Sequence, residues 1–326
     1  MLLFCLVRPR KSAWPSVPFV SLLHLVMILD SLKSLVRDRL RARGLQLVPI
    51  AEPPELLSKP LEALQQHRKG RDVGFACPIR DCTMYNGLRF DPSGYHPFIE
   101  TLREYQEGSV QSYEGSALQQ YYDGWQPNNA REALIGCPDG PEALTDVPSY
   151  AFYLPWLFVN PEQRAEMIWA GIRAFYEGNG LETDIDHGYL MHGPVSETFG
   201  RLEYRRLLEV YHRLRSEGYD RTHGDIVVSL YRRGDELRFG VEHGNHRIAA
   251  MAALGHDTIP ASFISMRVVK VKDAAHWPQV RNGFWPEASA RRYFHHIFNF
   301  DAQAWAAERG LIAASSALQA SLVPAP

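Results

Sequence analysis

The chain has 326 residues, long for one domain, with 35 Lys and Arg against 37 Asp and Glu and a formal net charge of −2. That balance argues against a generally basic nucleic-acid coat, and a content of 45% hydrophobic and 11% aromatic residues excludes wholesale disorder. Four cysteines do not make a disulfide framework at this length and point to a reducing, cytoplasmic compartment.

Val17 to Leu29 is a mostly apolar run behind Arg8, Arg10 and Lys11. It is short for a bilayer span, which takes about 20 apolar residues, and no small-residue cleavage site follows. Met27 opens a plausible start of its own, so residues 1–26 read as a leader or as an upstream extension. Ile28 to Arg43 has helical periodicity, with Leu32, Leu35, Val36 and Leu40 on one face and Lys33, Arg37, Arg39 and Arg41 on the others. Gly44 suits its C-cap. Such a basic amphipathic helix, over residues 28–43, either lies peripherally on the inner membrane or packs on its own domain.

Pro53, Pro54 and Pro60 interrupt the next stretch, so residues up to 70 read as a linker with a short helix from Pro60 to His67. Residues 71–189 read as mainly helical. Pro97 to Glu107 has proline in its first turn, Ser116 caps a helix to Tyr122, Asn129 to Ile135 suggests a third, and Gln163 to Tyr176 is amphipathic. Residues 136–148 form a loop. From 190 to 270 the rhythm changes. A helix from Glu203 to Glu217 stops at Gly218. Strand Ile226–Tyr231, turn Arg233-Gly234-Asp235 and strand Leu237–Val241 follow. Then come His243-Gly244-Asn245-His246-Arg247, a helix from Ile248 to Leu254 closed by Gly255, and a strand from Thr258 to Ile264. Residues 271–326 read as a helical extension with a frayed Ala/Ser-rich tail. The fold class is α+β.

The turn at Gly244 carries the strongest chemical signal. A strand enters a glycine turn and a helix leaves it, so exposed N–H groups and the helix dipole favour an anion. Arg247 can fork onto phosphate oxygens and His246 can move a proton. The bland alternative is a tight structural turn with Arg247 salt-bridged to a carboxylate such as Glu242. Glu197, Glu203, Arg205 and Arg206 offer a base or a metal-orienting carboxylate, or a solvated helix face. Asp184, Asp186, His187 and His192 could hold a metal but meet no standard spacing, and Cys77 and Cys82 lack a second pair for zinc; no metal site is expected. Tyr121, Tyr122, Trp125, Trp156 and Trp285 either stack on a sugar or base or pack in the core. His295, His296 and Arg292 face a pocket or solvent.

Phe239 to Ile264 resembles the signature of the ParB/sulfiredoxin-like superfamily through Gly244, His246, Arg247, Ala249, Ala250, Leu254, Gly255, Ile259 and Pro260. Ser116–Glu132, Gly193–Arg206 and His276–Phe298 resemble ParB-like proteins of bacterial surface-polysaccharide and lipopolysaccharide clusters. His243 stands where many members have Asp or Gly, and Asp225-Ile226 replaces a Pro-Ile pair. The resemblance implies a ParB/sulfiredoxin-like domain over 190–270, flanked by a mainly helical N-terminal part and the C-terminal extension. It implies that His243, Gly244, Asn245, His246 and Arg247 hold a nucleoside triphosphate, ATP or CTP, with Mg²⁺. Glu242, Glu203 and His246 are the catalytic candidates for phosphotransfer to a glycan precursor or small hydroxyl acceptor, or for nucleotide hydrolysis. No cysteine sits in the turn for a sulfiredoxin-type reductase. A non-catalytic ligand-binding regulator or scaffold is the alternative, and DNA binding fits least with the near-neutral charge.

Overall fold

The computed structural model describes residues 53–137, 139–182 and 191–312. These residues belong to one compact unit beginning at Pro53. The readings on 1–26, 28–43, Asp184, Asp186, His187 and the Ala/Ser-rich tail lie outside them.

A six-stranded mixed sheet organises the chain. Its strands are β1 (Glu55–Leu57), β2 (Val73–Pro78), β3 (Cys82–Thr83), β4 (Ile226–Arg233), β5 (Glu236–His243) and β6 (Thr258–Lys270), in the order β1-β2-β6-β4-β5-β3. β4 and β5 form an antiparallel hairpin, closed by Gly234 at φ 59°, and β6 runs parallel to β4. In β4 the alternation is plain: Ile226, Val228 and Leu230 enter one core, while Tyr231 enters another on the opposite face.

The helices are α1 (Pro60–Arg68), α2 (Pro97–Glu107), α3 (Ala117–Gly124), α4 (Ala130–Ala133), α5 (Pro161–Gly178), α6 (Glu197–Glu217), α7 (Asn245–Ala253), α8 (Pro278–Arg281), α9 (Glu287–Asn299) and α10 (Ala302–Glu308). Their starts follow local chemistry. Prolines open α1, α2 and α5, and Ser116, Asn129, Asn160, Ser196 and Asp301 accept first-turn N–H bonds. Asn160 and Gln163 make a reciprocal capping box.

The larger core joins Phe75, Phe239 and Phe263 of the sheet to α2, α3, α6 and α7. Ala249, Ala250 and Ala252 are fully or almost fully buried and let α7 lie close to α2 and α6. The second core packs Trp156, Trp277, Trp285, Tyr293 and Phe294 on the other face.

The segment expected to be mainly helical, 71–189, holds four helices but also supplies β2 and β3, and β1 lies in the expected linker. N-terminal strands therefore flank the β6-β4-β5 centre on both sides, and the sheet crosses the boundary expected at residue 190. α7 begins at Asn245, three residues earlier than expected, so His246 and Arg247 belong to its first turn. No helix among the described residues is long and apolar enough to cross a membrane.

Candidate functional site

Gly244 is the N-cap of α7 at φ 103°, and no side chain caps the helix. The first N–H to bond back along α7 is that of Ile248, to Gly244 O at 3.0 Å. The N–H groups of Asn245, His246 and Arg247 come before it, where helix geometry supplies no carbonyl. A Cβ on Gly244 would stand 2.4 Å from Ile226 Cδ1, so only glycine fits between strand and helix.

Arg247 is tethered by one nitrogen. Its Nη1 donates to Gly224 O at 2.5 Å and to the Tyr219 hydroxyl at 3.1 Å, with the guanidinium 5.8 Å from the Tyr219 ring centre. Nη2 and Nε lie 3.1 and 3.4 Å from the point where a Gly244 Cβ would be, and make no hydrogen bond among the described residues. Arg247 makes no salt bridge to Glu242, the carboxylate offered as its partner in the structural alternative.

His246 turns inward. Its Nε2 is 2.9 Å from Glu203 Oε2, and its ring centre is 5.0 Å from that of Phe98. At that distance the two groups form a close ion-pair contact in the interior. Glu203 comes from α6 with its side chain 2% exposed, and its Oε1 accepts from Arg206 Nη1 at 2.9 Å. Burial pushes the Glu203 carboxyl up. The contacts with His246 and Arg206 outweigh that and hold it below the usual carboxylate range.

The structure thus brings Gly244, Asn245, His246, Arg247, Glu203 and Arg206 together. It does not bring Glu242. Tyr85 and Ser229 donate to the two Glu242 oxygens. Phe239 and Val241 enter the helix-covered core, so the pleat sends Glu242 to the opposite face, with Gly240 against Tyr231. The sequence expectation that Glu242 acts at the turn is corrected on this ground. His243 is exposed at the end of β5, opposite Val227. Asn245 Oδ1 is buried without a partner.

The remaining candidates mostly serve packing. Tyr121, Tyr122, Trp125, Trp156 and Trp285 are buried core residues. Glu197 pairs with Arg201, and Arg205 lies 3.8 Å from Glu209, both on the solvent side of α6. His192 is buried against Gly193 O, and burial holds its ring below its ordinary value. His296 Nε2 lies 3.1 Å from Asn86 O beside a cleft, while Arg292 pairs with Asp139. No cluster of metal-ligating side chains occurs among the described residues. Sequence reasoning missed Tyr219 and the Gly224 carbonyl; only the glycines bounding that turn hinted at it.

No protein-family model, curated protein or solved structure matches the chain.

Proposed function

We propose that the chain binds a nucleoside triphosphate at the α7 N-terminus. In this reading α6, β4, β5, α7 and β6 form a ParB/sulfiredoxin-like core, and their order along the chain supports it. The observation that carries the reading is the posture of Arg247: one nitrogen is tied to Gly224 and Tyr219, while Nε and Nη2 sit beside Gly244 and three uncapped N–H groups. A phosphate there would meet backbone donors, the positive end of a helix and a pre-oriented guanidinium.

The reaction proposed is phosphoryl transfer from ATP or CTP to a hydroxyl of a surface-glycan precursor, or hydrolysis of the nucleotide, in the cytoplasm where both are at hand. Positioning and charge neutralisation would supply most of the acceleration. Proton transfer falls to His246, with Glu203 behind it. Glu242 has no part in the scheme. Magnesium would neutralise charge on the phosphates it accompanies; Glu203, buried and held by Arg206 and His246, is not placed to ligate it, and no metal-ligating cluster occurs among the described residues.

A second reading, a non-catalytic regulator or scaffold using the same pocket, is favoured by one observation: Glu203 and Glu242 are both already engaged. Isothermal titration with ATP, CTP and nucleotide sugars tests both readings. The wild type should bind at least one of these, and Arg247→Ala should weaken binding about tenfold or more, with melting curves run in parallel to separate lost binding from lost folding. No binding to the wild type at millimolar concentration sinks the proposal. Binding without phosphate release or transfer selects the regulator.

A further inference from the structure

A cleft of about 400 Å³ opens where the β4–β5 hairpin closes and β6 ends, walled by Arg232, Gly234, Asp235, Lys270, Val271 and Lys272. It lies at the other end of the hairpin from the α7 turn. Val227 pairs with His243 beside that turn and Arg233 with Glu236 here, so six residues of strand, about 20 Å, separate the two places.

Charge sets this cleft apart. Three of its side chains are cationic and only Asp235 is acidic, in a chain whose formal net charge is −2. Arg232 and Lys270 are register partners on parallel neighbouring strands, so both leave the sheet on one face. Like charges placed side by side across strands repel. Little on the page cancels that repulsion. Neither Lys270 nor Lys272 makes an ion pair or a side-chain hydrogen bond among the described residues. Asp235 is fully exposed and reaches only Arg232, at 3.5 Å, and an exposed pair of that kind contributes little. Arg232 is held by its own turn: Nε donates to Gly234 O at 2.7 Å, and Nη1 makes no hydrogen bond among the described residues. The walls carry no aromatic ring and one apolar side chain, Val271, so the cleft offers charge rather than a surface for a base. Its volume suits a small ligand.

We propose that this cleft binds a small phosphorylated ligand with at least two negative charges, which would relieve the Arg232–Lys270 repulsion. The test is isothermal titration of the full chain at low ionic strength, where exposed charges are least screened. Pyrophosphate and a hexose 6-phosphate probe free phosphates, and sedimentation with phosphatidic-acid vesicles probes a lipid headgroup; lysine-dependent binding in either arm supports the site and names the source. Binding should appear at millimolar concentration or below, in the wild type and equally in Arg247→Ala, which separates this cleft from the α7 turn. Lys270→Gln and Lys272→Gln should each weaken it about three- to tenfold. Without ligand, Lys270→Gln should melt no lower than the wild type, since it removes a like-charged neighbour of Arg232; if it melts lower, Lys272→Gln, on an exposed side chain, carries the test. The inference is overturned if no phosphate binds, if both lysine variants bind as the wild type does, or if Arg247→Ala abolishes the binding.

Discussion

Replacing Gly244 by alanine perturbs the one backbone position on which the α7 turn depends. Its φ of 103° lies well beyond the left-handed basin that L residues occasionally visit. Holding alanine there costs about 1–3 kcal/mol. The new Cβ would also stand 2.4 Å from Cδ1 of Ile226, which is fully buried and would have to shift within the core. Overpacking of that kind adds about 1–3 kcal/mol, so the total is a large share of the roughly 5–15 kcal/mol that holds a domain together. Gly234 supplies the control. Its φ is 59° and an added Cβ meets nothing within 4 Å, so Gly234→Ala carries only the backbone cost of about 1–2 kcal/mol. Urea unfolding followed by circular dichroism measures both. Ile226→Val removes the clashing Cδ1 and should cost less in the Gly244→Ala background than in the wild type, by about 1 kcal/mol. Equal stability of Gly244→Ala and Gly234→Ala, or a Gly244→Ala midpoint at the wild-type value, would refute the reasoning.

Burial pushes His96 down to about 3, so between there and the unfolded value near 6.5 only the unfolded chain takes up the proton. Stability should therefore fall as the pH drops through that window, by up to about 1.4 kcal/mol per pH unit. His96 Nδ1 accepts from Phe98 N at the start of α2; His96→Asn keeps a capping acceptor and should flatten the slope of unfolding midpoint against pH, whereas an unchanged slope would assign it to other groups. Glu203→Gln should cost about 2–4 kcal/mol near neutral pH, less than a fully buried pair because the Arg206 side chain is 39% exposed. The Glu203 carboxyl is held below its ordinary 4.5, so its contribution is present above that value and lost as the pH falls through the lowered folded value. Wild type and Glu203→Gln should then converge in acid, and a gap that persists there would contradict the ionised state.

The elements that could be read from sequence are those that local chemistry decides. Proline at the first turn and His96 before it fix α2 at Pro97–Glu107, and the β-branched run Ile226–Val228 with a glycine turn beyond it marks the β4–β5 hairpin. β1, β2 and β3 escape because they are short and carry weak patterns. Two residues, Cys82 and Thr83, become a strand only by pairing with Phe239 and Gly240 far along the chain. The expected start of α7 falls late because Asn245-His246-Arg247 looks like turn; the left-handed Gly244 lets the helix begin at once. The gathering of Gly244, His246 and Arg247 at one turn is legible from the strand–glycine–helix pattern. The meeting of His246 with Glu203 is not, since it depends on how α6 packs on α7. The misplacement of Glu242 was avoidable in principle: period-two alternation alone sends it away from Phe239 and Val241.

In the proposed reading, whether the turn would only bind or would also react depends on whether His246 can leave Glu203. A buried carboxylate that loses its only partner is left uncompensated, at a cost of several kcal/mol. For Glu203 that cost is only partly offset, because Arg206 holds its other oxygen from the same helix and lies 4.7 Å over the Phe175 ring, while the contact with His246 does more to hold the carboxyl low. His246 closes on the second oxygen at 2.9 Å. To reach a ligand in that reading, the imidazole would have to give up this contact, leaving Arg206 alone on the carboxylate. Arg247 works in the opposite sense: its tether to Gly224 and Tyr219 spends one nitrogen to fix the direction of the others. In the same proposed reading, the fixed cation would position and neutralise the phosphates, and the imidazole would carry the proton.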